Sequence, residues 1–196
     1  MTCIYIAFAD TPGFFAGLIR RFLRQRYVHV ALAADVRLSE CYSVGRRNPA
    51  VPIFAGFEKE DKYKILHTFP RAYYRVCRLS CTREQKRKIM EKLREDYMRR
   101  YSIHYAVPAL PFLVLGIPLY VRNQYTCSSY LARVLGENGI CIADKHFSLV
   151  TPKDFYEYEE MEPVFEGELS KLVEEDEAAH REDLLEHWLE GVSVYE

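Results

Sequence analysis

The stretch that most restricts what this chain can fold into is "IHYAVPALPFLVLGIPLYV", Ile103 to Val121, nineteen residues without a formal charge. A run of that length crosses a bilayer if it is one helix. Pro108, Pro111, Gly116 and Pro118 argue against it. Each proline removes a backbone donor and disturbs the preceding turn, and hydrocarbon offers no water to the groups set free. The run therefore reads as a buried or half-buried connector beside a core, with a cleft wall or a membrane-touching loop as the functional alternative. The core must then come from the rest of the chain. At 196 residues, with 49% apolar and 28% charged residues, there is enough for one sizeable core and too little for two ordinary domains.

The amino terminus "MTCIYIAFADTPGFFAG" lacks the basic flank of a signal peptide and turns polar at Asp10 and Pro12, so the expected location is cytoplasmic. In that compartment the six cysteines, Cys3, Cys41, Cys77, Cys81, Cys127 and Cys141, are expected as free thiols. Cys77 and Cys81 are spaced C-x3-C, no second pair follows at zinc spacing, and there is no HExxH. Neither a metal site nor a cofactor is expected.

The net charge of -1 conceals a division. Residues 1–125 hold 22 Lys+Arg against 10 Asp+Glu, and residues 126–196 hold 5 against 18. The two parts attract each other as solvated faces. The basic residues are not interleaved with aromatics in a recognisable motif, so no nucleic-acid partner is expected.

Periodicity outlines an α+β chain. "CIYIAFAD" reads as a strand and "FFAGLIRRFLR" as a helix, its arginines gathered at the end that the helix dipole favours. "YVHVALAAD" and "VRLSECYSV" read as a hairpin, "GRRNPAVPIFAGF" as loop, and "YYRVCRLSC" as a further strand. "TREQKRKIMEKLREDYMRRY" is the best helix, capped by Thr82, with Ile89, Met90, Leu93 and Tyr97 in one stripe. The domain is taken as residues 1–165, followed by an acidic helical extension over 166–196.

The chemistry centres on "YTCSSYLARVL". With Thr126 or Asn123 as cap, Cys127 lies in the first helical turn, on the face continued by Tyr130, Leu131, Val134 and Leu135. An inward thiol at the positive end of a helix dipole has its pKa lowered. If the hairpin turns at Ala34-Asp35, His29 lies opposite Glu40, with Cβ atoms about 5 Å apart on a small apolar face. An imidazole held by an acid is what a nucleophilic cysteine needs. His67, His104 and His146 are rival bases, but none has an acid on a paired strand.

A His opening a strand in "HVAL", an acid ending the next in "SECYS", and much later "YTCSSYLARVL" followed by "TPKDF" resemble the circularly permuted branch of the NlpC-like papain-fold superfamily, with its YiiX-type hydrolases and lecithin:retinol acyltransferase relatives. The resemblance spans about residues 1–160 and implies a permuted papain-like fold, an antiparallel sheet packed against the helix that carries the thiol. It implies Cys127 as nucleophile, His29 as base and Glu40 as orienting residue, in a cysteine hydrolase or acyltransferase acting on a small peptide or lipid amide or ester. Where many relatives follow the Cys-Ser pair with Glu or Gln, this chain has Ser129 and Tyr130. The backbone N–H of Cys127 is the expected oxyanion donor, and Tyr125 and Gln124 are candidate substrate contacts. A catalytically silent binding domain of the same fold, and a membrane-associated adaptor acting through residues 103–121, are the alternatives.

Overall fold

In the computed structural model, residues 2–11, 17, 20–21, 26–48 and 51–192 are described, with side chains left aside for 48, 51–54 and 183–192. Most of the expected helix Phe14–Arg24 lies outside the described residues. Alternation of apolar residues sets the first strand, β1 (Thr2–Asp10), in the middle of a sheet. Ile4, Ile6 and Phe8 point to one face, and Ala7 and Ala9 to the other.

The remaining strands are β2 (His29–Ala33), β3 (Cys41–Asn48), β4 (Val51–Lys59), β5 (Tyr73–Cys81), β6 (His104–Tyr105), β7 (Gln124–Tyr125) and β8 (Met161–Glu168). They lie in the order β7-β6-β4-β3-β2-β1-β5-β8. All pairings are antiparallel except that of β6 with β7. The helices that follow β4 are α1 (Lys62–Thr68), α2 (Arg83–Met98), α3 (Leu110–Val114), α4 (Cys127–Glu137), α5 (Pro152–Tyr156) and α6 (Leu169–Val192). The architecture is α+β, and no helix among the described residues is long and apolar enough to cross a membrane.

Two layers cover the sheet. On one face α2 and α4 bring Ile89, Leu93, Leu131 and Leu135 against Ile4, Ile6, Val30, Leu32, Val44 and Phe57. The other face is built of small residues, Ala7, Ala9, Ala31 and Ala33, which let Leu169, Leu172 and Val173 of α6 approach closely. α2 begins as its sequence dictates. Thr82 accepts from the N–H of Gln85 at 3.1 Å, and the Gln85 side chain accepts from the N–H of Thr82 at 2.9 Å.

The two charged parts of the chain meet. Arg78 pairs with Glu162 at 2.7 Å, Arg75 with Glu166 at 3.5 Å, and the buried Lys62 ammonium bonds Asp176 of α6. β8 runs through the expected 165/166 boundary, so the carboxyl-terminal extension starts inside the sheet.

Three expectations are corrected. "GRRNPAVPIFAGF" is mostly strand, since Gly45 to Asn48 belong to β3 and Val51 onward to β4. The β2–β3 connection is a seven-residue loop rather than a tight turn at Ala34-Asp35. It closes with Ala34 N–H donating to Glu40 O at 2.9 Å, and the Asp35 carboxylate accepts from the N–H and hydroxyl of Ser39. Finally, the uncharged run is a buried or half-buried connector only in part: Ile103 and Ala106 are buried and Tyr105, Leu110 and Leu113 half-buried, but Leu115 is 70% exposed and Ile117 48% exposed.

Candidate active site

α4 starts at Cys127 because Thr126 caps it. Thr126 accepts from Ser129 N–H at 3.1 Å, and Ser129 Oγ accepts from Thr126 N–H at 2.9 Å. Ser129 thus fills the third position of a capping box, which explains a hydroxyl residue two places after the cysteine. Ser128 donates to Val150 O at 2.6 Å and locks the turn to the segment that follows the helix. Cys127 is 3% exposed, facing the start of β2 as its helical face requires.

Its thiol has three donor groups beside it: the ring of His29, the first residue of β2, and the backbone N–H groups of Val30 and Ser128. Burial pushes the Cys127 thiol up, but these donors and the imidazolium charge hold it below the ordinary thiol value. Burial instead governs Cys41, Cys77 and Cys81, all pushed up. All six cysteines are free.

The group on the other side of the imidazole is Glu60, not Glu40. His29 Nε2 lies 2.6 Å from Glu60 Oε1, which leaves Nδ1 for the sulfur. Glu60 follows the last residue of β4, and Ser43 of β3 donates its hydroxyl to the same Oε1. Burial raises the Glu60 carboxyl, and the imidazolium and the Ser43 hydroxyl more than reverse it, leaving it below the usual carboxylate value. Burial disfavours charge on His29 too, yet Glu60 and Cys127 raise its pKa to about 10. The three groups are therefore coupled: the Glu60 carboxylate favours the imidazolium of His29, and the imidazolium in turn favours ionisation of the Cys127 thiol.

The expected His29–Glu40 pair fails on register. β2 and β3 pair as Leu32↔Tyr42 and Ala33↔Cys41, which sets position 45 opposite His29 and leaves Glu40 in the loop. Glu40 instead binds Arg94 of α2 at 2.7 and 2.8 Å and accepts from the Tyr42 hydroxyl at 3.0 Å. It ties α2 to the sheet. Residue 45 is glycine, and a Cβ there would lie 2.9 Å from His29 Cε1. The imidazole rests on the space a side chain would fill.

The expected substrate contacts sit differently. The Tyr125 hydroxyl lies 2.9 Å from that of Tyr120 and is also held by Arg133, and Gln124 is a half-buried residue paired with His104. Tyr105 of β6 pairs with Tyr125, two residues before Cys127. Burial raises its phenol, and so does the charge of Cys127 beside it. His67 and His104 are exposed, and exposed His146 caps a short turn through Ser148 at 2.8 Å.

A cavity of about 1020 Å³ opens beside these groups. Among the described residues its wall includes His29, Gly45, Glu60, Tyr105, Val107 and Leu110.

An α+β sheet whose strand-borne imidazole meets a helix-borne thiol is the class that fold and site define. A solved structure described as metalloprotein yiiX from Escherichia coli O157:H7 shares the fold. The TM-score is 0.54 at 14% identity, over 84% of this chain and 97% of that one. No family model matches the sequence, and no curated protein matches it.

Proposed function

We propose that this chain is a cysteine hydrolase or acyltransferase of the permuted papain-like kind, cleaving an amide or ester through Cys127, His29 and Glu60. The observation that carries this reading is the His29 ring held between a buried carboxylate and a thiol at a helix amino terminus. The likeness in fold to yiiX is consistent with it.

In this mechanism the Cys127 thiolate attacks the carbonyl carbon of a substrate that enters along the cavity past His29 and Tyr105. The N–H of Cys127, which has no acceptor within its own helix, and the phenol of Tyr105 receive the developing oxyanion. Imidazolium His29 gives its proton to the leaving amine or alcohol as the C–N or C–O bond breaks, leaving an acyl thioester on Cys127. His29, now neutral, removes a proton from water or an acceptor alcohol or amine, which attacks the thioester and returns Cys127 as thiolate and His29 as imidazolium. Glu60 fixes the ring and supports its charge throughout.

The description of yiiX as a metalloprotein raises the question of a metal ion here. Among the described residues, no three His, Cys, Asp or Glu side chains are gathered so that they could hold one, and no step is routed through a metal. The test is acid-quenched trapping with an activated ester at pH 6, where an ordinary thiol is about 0.3% ionised. The expected adduct is a thioester on Cys127 that is absent from Cys127→Ala. Absence of any adduct from the folded wild type, or an unchanged adduct on another thiol, assigns the fold to a catalytically silent binding domain.

A further inference from the structure

The segment between β6 and β7 has an unusual combination of properties. Phe112, Val114, Leu115, Ile117 and Val121 are all exposed, and Leu115 is the most so. The backbone around them is closed on itself. Leu115 N–H donates to Pro111 O at 3.1 Å, Gly116 N–H to Leu113 O at 3.3 Å and Ile117 N–H to Phe112 O at 2.9 Å. Pro111 and Pro118 have no N–H to satisfy. Gly116, at φ +68 with open space around it, makes the turn at the tip. The finger is also tied down: the Tyr120 hydroxyl accepts from Arg133 at 2.9 Å, and its ring meets Phe147 edge-on at 5.2 Å.

We infer that this finger docks on an anionic bilayer surface. A short apolar tip whose polar backbone groups are paired internally can enter the headgroup and acyl boundary without stranding donors there. Convex side chains around one tight turn suit a deformable lipid layer better than the flat face of a second copy. The charge that adjoins the finger is complementary, since residues 103–121 carry no carboxylate and exposed Arg122 directly follows them. The finger is continuous with the cavity through Val107 and Leu110, so docking brings the mouth beside His29 to the interface. Docking itself does not depend on the thiol chemistry proposed above.

The test is flotation with phosphatidylcholine vesicles, with and without phosphatidylserine, using the full chain, its Cys127→Ala form and the double variant Leu115→Asp/Ile117→Asp. Both replaced side chains face solvent, and circular dichroism checks the fold. Wild type and Cys127→Ala are expected to float equally with phosphatidylserine vesicles and more weakly without, while the double variant partitions at least about tenfold less. Wild type that stays at the bottom with both vesicle types, or a double variant that floats as well, overturns the inference. So does sedimentation analysis in which the wild type dimerises and the double variant does not, which would assign the finger to self-association.

Discussion

Replacing Glu60 with glutamine tests the site at its most specific point. Glutamine keeps an acceptor oxygen for the ring but removes the charge that holds His29 protonated to about pH 10. The rise from 6.5 to about 10 corresponds to roughly 5 kcal/mol in favour of the imidazolium, shared between Glu60 and Cys127 after the opposing cost of burial. A hydrogen bond to a charged group is worth about 1.5–3 kcal/mol, so Glu60→Gln should lower the His29 midpoint by about one to two pH units. Removing an anion destabilises the protonated ring, which fixes the sign. The assay is NMR of chain carrying carbon-13 histidine, following the His29 ring carbons from pH 5 to 10.5. Glu40→Gln is the control. Its charge is paired with Arg94, and it should leave the midpoint within about 0.3 units. A wild-type midpoint near 6.5, or equal shifts from the two variants, refutes the assignment of Glu60. Linkage adds a stability readout. Because the folded His29 pKa is raised, its contribution is complete below about pH 6.5 and is lost as pH rises through about 10. The gap in thermal midpoint between wild type and His29→Gln should close over that range.

Gly45→Ala should displace the imidazole, since the added methyl lies 2.9 Å from His29 Cε1. The expected outcome is a folded protein with a lower His29 midpoint and acylation of Cys127 slowed by about tenfold or more, read by thioester trapping. Asp96→Ala removes a carboxylate that is 2% exposed and serves Lys92, Arg99 and the Tyr130 hydroxyl, the last at 2.7 Å. Chemical denaturation should show a loss of about 2–4 kcal/mol, with the Tyr130 hydroxyl of α4 left unpaired against α2.

The elements legible in the sequence are those whose signal is local. The T-x-x-Q start of α2, the alternation in β1 and β5 and the Thr126 cap of α4 each follow from a few neighbouring residues, and so the placement of Cys127 and His29 could be read. Glu60 could not, because it directly follows a strand whose proline and glycine read as loop. Gly45 and Gly56 are there for close approach: a Cβ at 45 would strike His29, and one at 56 would lie 2.5 Å from Ile103 O. The register error has a similar origin. Asp35 builds its turn with a serine four residues on, and Leu38, at φ +57, folds back into the core, a long-range burial that no local pattern announces. β8 was hidden for another reason: most of its residues are polar or exposed, and its partner β5 lies some eighty residues earlier.

That separation matters while the chain is being made. At about 5–20 residues per second, β5 waits on the order of ten seconds before β8 leaves the ribosome, and for that time its outer edge has no partner. An unpaired strand reading "YYRVCRLSC" would invite another nascent chain. Arg75 and Arg78 stand on it as charges that repel a second copy during the wait, and once β8 arrives the same two residues accept Glu166 and Glu162. The basic-then-acidic order of the sequence thus serves as a timing device, keeping the edge closed to like chains and open to its own late strand.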